Sequence, residues 1–224
     1  MNISLGMNAM RVYKKIPTVD EISEKLKLHK LWLEDNENGE LCTFSKVSFD
    51  NLDLHGLDFS GVIFNKVHFQ KTNLSGAKFQ NAVFIDCSFF DDVDMSNSDL
   101  TGVKIITSHM LTVKMNDCNL EAADIYRSVI WNTNFQNSNI SSAKISFSDI
   151  SECDFENANL QKTAITYTNL DYTWFVKANC ESAFFAYNVN TNYADFRKAN
   201  LTDAFFTDRE EVHDKEEEDE DEQE

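Results

Sequence analysis

The stretch Ser138–Lys162 reads SNISS AKISF SDISE CDFEN ANLQK, with Ile140, Ile145, Ile150, Phe155 and Leu160 at every fifth position. Small residues stand two places before these centres, as at Ser138, Ala143, Cys153 and Ala158. A period of five is neither 3.6 nor 2, so it encodes neither an amphipathic helix nor an ordinary half-buried strand. Outward from this stretch the same frame runs from Phe44 to Phe206, with one-residue slips after Phe89 and after Phe185. A fixed short period sustained over most of a chain marks a repeat architecture.

Between the small residue and the centre stands Asp or Asn again and again, as in Ala158-Asn159-Leu160 and Ala199-Asn200-Leu201. The pattern closely resembles the pentapeptide-repeat family, whose consensus is A(D/N)LXX, over roughly three quarters of the chain and about 33 quintets. The resemblance implies an all-β fold, a right-handed quadrilateral parallel β-helix with four quintets per turn. It also places the centre and the small residue inward and the other three positions outward. Asn119, Asn139, Asn159 and Asn179 recur at spacing 20, with Asn200 following after the second slip. That column independently supports four quintets per turn, because an asparagine ladder hydrogen-bonds along a β-stack. About eight coils at ~4.8 Å each predict a rod ~40 Å long.

The predicted organisation is a flexible N-terminus over 1–17, a capping helix and turn over 18–41, repeats over 42–207 and a disordered acidic tail over 208–224. Thr18-Val19-Asp20-Glu21 forms a capping-box pattern, and Ile22, Lys25, Leu26, His29 and Leu33 share one helical face. An open coil end exposes core and unpaired backbone, so the helix over 18–34 is expected to cover the first coil. No helix is apparent at the other end, which leaves a monomer and a dimer through a coil end both open.

Formal charge is −18, but it is unevenly spread. Residues 42–207 carry 12 cations and 19 acids, whereas 208–224 carry two and 12. An acidic balance disfavours direct binding to nucleic acid or an anionic membrane. No apolar run approaches the length of a membrane span, and the first 16 residues lack a signal-peptide apolar region. A cytoplasmic protein is expected.

Cys42, Cys87, Cys118 and Cys153 take the small inward position and Cys180 a centre, which reads as core filling in a reducing compartment. His68 and His109 share a column with Ser88 between them, but two coils (~10 Å) separate them, too far for one metal ion. The sequence suggests no nucleophilic Ser/His/Asp set, no phosphate loop and no metal or cofactor site, so no catalytic residue is assigned and an enzyme is not expected.

Function must then lie on the outer walls. One acidic wall carries Asp50, Asp91, Asp149, Glu152 and Asp171, and another carries Asp58, Asp99 and Glu121 beside the asparagine ladder. A third wall is basic and aromatic, with Lys46, Lys66, Lys104, Arg127 and Lys144 followed by Phe147, Tyr167 and Tyr187. The family resemblance implies a rod that mimics duplex DNA. The leading expectation is therefore a non-enzymatic inhibitor of a nucleic-acid-binding protein, such as gyrase, topoisomerase or a host or phage defence complex. The eight named acids would carry it. The alternative is a protein-interaction scaffold using Arg127, Lys144, Phe147, Tyr167 and Tyr187.

Overall fold

The computed structural model describes residues 16–35, 37–188 and 190–207, and the chain over these residues forms one capped β-solenoid. The N-terminal expectation for 1–17 falls almost wholly outside them, and the acidic tail 208–224 lies entirely outside. Nine strands from Thr43–Ser45 to Phe205–Phe206 make one parallel sheet, here wall A. Five strands from Ser48–Asp50 to Val129–Trp131 make a second, wall B. The other two sides, walls C and D, are ladders of single bridges such as Asp94↔Lys114 and Asn139↔Asn159.

The five-residue frame predicts this register coil by coil. Phe44 pairs with Phe64 and Phe64 with Phe84 at spacing 20, while Phe84 pairs with Ile105 at 21. The first slip is thus absorbed at one corner, where Asp91 and Asp92 both adopt positive φ, and stacking resumes beyond it. The second slip likewise leaves Phe185 opposite Phe206.

Inside, the centres form face-to-face stacks such as Phe69–Phe89 at 4.5 Å and Phe135–Phe155 at 4.8 Å. Aromatic pairs contribute ~0.5–1.5 kcal/mol each beyond area burial. The inward small position alternates between apolar residues and hydroxyls whose oxygens reach a carbonyl of the preceding turn. Examples are Ser138 Oγ donating to Met115 O at 2.7 Å and Thr163 Oγ1 to Ile140 O at 2.7 Å. Others, such as Ser108, Ser148 and Thr168, donate instead to the carbonyl two residues earlier in their own turn, and buried hydroxyls at this position are tolerated because they are satisfied in one of these two ways.

Each quintet ends at a corner in the left-handed region. Corner residues include Lys46, Arg127, Phe147, Tyr167 and Tyr187, all at φ between 50° and 56°. Gly56, Gly61, Gly76 and Gly102 are the corner positions where no side chain bears that conformation. Elsewhere an L-residue is held in it by the hydrogen bonds of the turns above and below.

Helix α1 spans Val19–Leu33, with Thr18 as N-cap, a complete capping box with Glu21, and Glu34 as C-cap. Ile22 is fully buried in the core, and Lys25 lies over the Phe44 ring. His29 bolts the helix to the rod. Its Nδ1 accepts the Cys42 N–H at 3.2 Å, so Nε2 carries the proton and donates to Ser60 O at 2.8 Å. Gly39 passes so close to the end of α1 that an added Cβ would collide with the backbone of Trp32. At the opposite end nothing among the described residues covers the last coil, and Phe196, Leu201 and Phe206 are only half-buried.

Candidate functional site

Wall A holds the largest exposed aromatic cluster of the described rod. Its corner column runs Arg127, Phe147, Tyr167, Tyr187, one residue per turn. Phe147 and Tyr167 stack at 4.8 Å and 4°, and Tyr167 and Tyr187 at 5.1 Å and 15°. The Arg127 guanidinium caps the column by lying 5.1 Å over Tyr126, which meets Phe147 edge-on. Phe147, Tyr167 and Tyr187 remain 52%, 44% and 52% exposed. The sequence-derived grouping of Arg127, Lys144, Phe147, Tyr167 and Tyr187 is therefore realised as one surface.

Two members of that surface were missed. Phe184 and Phe205 stack at 5.0 Å on the other side of the same wall, both substantially exposed. On the rung of Tyr187, fully buried Ala186 lies between Phe184 and the tyrosine column. The spacing of 21 between Phe184 and Phe205 across the second slip was the available signal. The same spacing pairs Tyr172 with Tyr193 at 4.7 Å on the next corner, close in sequence to exposed Trp174.

The acidic residues are arranged quite differently from a free anionic row. At the position just before each centre, Asp and Asn do the same work: a side-chain oxygen accepts the backbone N–H two residues on. Asp58 accepts from Ser60 N at 3.0 Å, Asp99 from Thr101 N at 3.1 Å and Asp149 from Ser151 N at 3.0 Å. Asn119, Asn139, Asn159, Asn179 and Asn200 do likewise and also link side chain to side chain at 3.0–3.3 Å. Asp171 accepts from Asn192 N at 3.1 Å, and Asp91 from the Gln70 amide at 2.6 Å. Asp50 is half-buried, its Oδ1 3.8 Å from His68 Nε2. Glu121 and Glu152 complete the set, the first exposed and the second partly so. Wall B also carries a half-exposed apolar column, Phe90, Leu111 and Trp131, among its acids.

One negative expectation is corrected. A Ser/His/Asp set is brought together after all: His68 Nδ1 lies 2.9 Å from Ser88 Oγ, and Asp50 flanks the same ring. The cause is the stacking of positions 20 apart, with Asp50 two residues along the turn before. The Asp–His separation exceeds a hydrogen bond, and the Ser88 N–H is already donated to Val67 O at 3.0 Å, so that N–H is not available to an oxyanion.

All five cysteines are free and buried, as the inward frame predicts. Burial pushes the Cys42 thiol up to about 11, those of Cys87, Cys118 and Cys180 up to about 12, and Cys153 higher still. Such thiols are poor nucleophiles and poor metal ligands at neutral pH. Among the described residues no helix is long and apolar enough to cross a membrane.

The pattern described as Pentapeptide repeats matches the chain in 8 copies, over residues 63–105, 118–157 and 143–179. No curated protein matches the sequence. Among solved structures, a trypsin-treated form of QnrB1, a plasmid-mediated fluoroquinolone resistance protein, is 18% identical over 74% of this chain and 83% of that one, with a TM-score of 0.51. A second trypsin-treated form is 17% identical over 74% and 84%, also at 0.51. Full-length QnrB1 is 17% identical over 72% and 87%, at 0.43. At such identities the likeness speaks for the fold. With its five-residue frame, four-sided coil and matched repeats, the chain belongs to the pentapeptide-repeat family.

Proposed function

We propose that this protein is a non-enzymatic, cytoplasmic binding rod that holds a protein partner against its basic-aromatic wall. The observation that carries the reading is the stacked Phe147–Tyr167–Tyr187 column, about half exposed, with Arg127 at its head and Phe184 and Phe205 alongside. Contiguous exposed aromatics of this extent mark interaction surfaces, and Tyr and Arg dominate binding hot spots because they bring large area at low entropic cost. Their placement supports the reading further. Left-handed corners favour Gly and Asn, yet here they carry bulky rings at the expense of backbone energy. Five buried free thiols are in keeping with a reducing compartment.

Tyr167→Asn with Tyr187→Asn tests this while respecting the corner conformation. Affinity capture from cells that express the protein should recover a partner with the native chain. The double variant should lose it at least about tenfold, the scale of a hot-spot truncation, while Asp91→Asn with Glu152→Gln keeps it. Retention by the tyrosine variant would sink the proposal.

A second reading, occupation of the nucleic-acid site of gyrase, a topoisomerase or another DNA-binding enzyme, draws support from wall B. There Asp50, Asp91, Asp92, Asp149, Glu152 and Asp171 face only Lys71. Duplex DNA presents about 23 charges over ~40 Å, far more than any wall here. That reading predicts inhibition in a supercoiling assay, lost in the Asp91→Asn, Glu152→Gln variant and steeply weakened by salt.

A further inference from the structure

We propose that wall A seats an amphipathic α-helix of its partner, laid along the rod axis, with an apolar stripe on the aromatic column and acidic residues at the end nearer Lys104. The inference rests on the reading of wall A as the partner-binding surface and adds what that surface recognises.

The rings decide which groups can meet them. Phe147, Tyr167 and Tyr187 lie nearly parallel, one ring per turn, so Tyr167 has a neighbour over each face and turns its edge outward. Cations and nucleobases both need a ring face, and here the faces are taken by the column itself. A ring edge is the positive rim of the quadrupole, suited to aliphatic groups, thioether sulfur and carboxylate oxygens. The column therefore disfavours a basic or nucleic-acid occupant and favours an apolar, acidic one.

Spacing selects the backbone form. The ring centroids step along the rod by 4.8 and 5.1 Å. A helix laid on the column brings one residue to each ring at its ~5.4 Å pitch and is only ~1 Å out of step after two rings. An extended strand repeats a face every ~6.7 Å and is ~3.5 Å out after the same two rings. Helix positions i, i+4 and i+7 thus meet Phe147, Tyr167 and Tyr187 in turn. Beside the rings stand Ser146, Thr166 and Ala186, one per turn, and side chains this small leave a helix room to approach.

Charge sets the rest of the binding face. The turn of Phe147 and the two before it carry exposed Lys144, Arg127 and Lys104 against Asp124, whereas residues 164–167 and 184–187 hold no charge. The occupant is accordingly apolar over Tyr167 and Tyr187 and acidic from Phe147 toward Lys104. From the turn of Tyr187 to that of Lys104 is four rungs, ~19 Å, or ~13 helical residues. Complementary charge along that length fixes register and excludes basic partners.

A free helix of this length is marginal in water, so the probes are side-chain-stapled peptides of about 14 residues. The first carries Leu, Met and Leu at i, i+4 and i+7, with three Glu on the same face beyond them. The second replaces the Glu by Lys, and the third holds the residues of the first, unstapled, in alternating apolar–polar order. Titrated into the full-length chain and followed by fluorescence anisotropy, the first should bind at least about tenfold more tightly than either of the others. The Tyr167→Asn, Tyr187→Asn chain should lose that preference, and the Asp91→Asn, Glu152→Gln chain should keep it. Arg127→Gln with Lys144→Gln leaves Phe147, Tyr167 and Tyr187 in place and should shrink only the Glu-over-Lys preference, as should high salt. Equal binding of the alternating peptide, or no binding of the first, would overturn the helix, and equal binding of the Lys peptide its acidic character. Should a cellular partner be captured through Tyr167 and Tyr187 while the peptides show no preference, the helix falls and the binding surface stands. Capture that ignores both tyrosines removes the surface itself.

Discussion

Asp149 is the position where fold and charge can be separated most cleanly. Its Oδ1 accepts from Ser151 N at 3.0 Å and from the Asn169 amide at 3.1 Å, and the residue is half-buried in the bridge ladder of wall B. Asp149→Lys removes both acceptor bonds. Hydrogen bonds to an ionised group contribute ~1.5–3 kcal/mol each, and partial solvent access argues for the lower figure, giving ~3 kcal/mol for the pair. For a domain of this size that lowers Tm by about 6–12 °C, at ~2–4 °C per kcal/mol. Asp149→Asn keeps an oxygen for both donors and relieves repulsion within wall B, so its loss should stay near ~1 kcal/mol. Thermal melting followed by circular dichroism gives the ranking. Because repeat arrays need not unfold in one step, hydrogen exchange at the Ser151 amide should be read alongside. A lysine variant that melts with the native chain, or an asparagine variant as damaged as the lysine one, would refute the acceptor role. The result bears directly on function: charge reversal at Asp58, Asp99 or Asp149 damages the rod as well as its potential, so amide variants are the proper probe of DNA mimicry.

Asn159→Ala should cost ~2–3 kcal/mol, because it leaves the Gln161 N–H and the Asn179 amide without their acceptor and takes from Asn139 Oδ1 one of its two donors; protection of the Gln161 amide from exchange should fall, and unchanged protection would contradict the ladder. His29→Leu should cost ~2–4 kcal/mol by stranding the Cys42 N–H and Ser60 O, and is expected to release α1 below the main melt, seen as early loss of helical signal. The thiols predict an alkaline limit. Their folded values lie above those of the unfolded chain, so as pH rises past about 9 the unfolded state loses protons first and stability falls, by up to ~1.4 kcal/mol per thiol per pH unit. The slope of stability against pH from 9 to 10.5 should flatten in Cys118→Ala, Cys153→Ala, and an unaltered slope would show that burial does not govern these groups.

The fold was legible because inward and outward faces follow from counting by five, and because Asn119 to Asn200 repeat at the height of one turn. The bounds of α1 were readable from Thr18 and Glu21, since a capping box is a local device. The use of the outward acids was not readable in the same way. Whether Asp99 presents a charge or completes a turn depends on rotamer and on the N–H of Thr101, and a period does not report either. The Asp50–His68–Ser88 contact joins residues of three successive turns, so pairwise spacing along one column understated it. The aromatic surface of wall A was half visible: the 20-spaced column stood out, while Phe184 and Phe205 were obscured by the slip between them.

The two ends of the rod give it a direction in time as well as in space. The first coil is sealed by α1 through Ile22 and His29, whereas Phe196, Leu201 and Phe206 remain half-open. Synthesis delivers the sealed end first, and domains settle from their N-terminal side as they emerge. Each new turn then finds a finished row of donors and acceptors to lie on, and its left-handed corners can be held the moment they form. The solenoid is in this sense self-templating, and the open coil is its growing face.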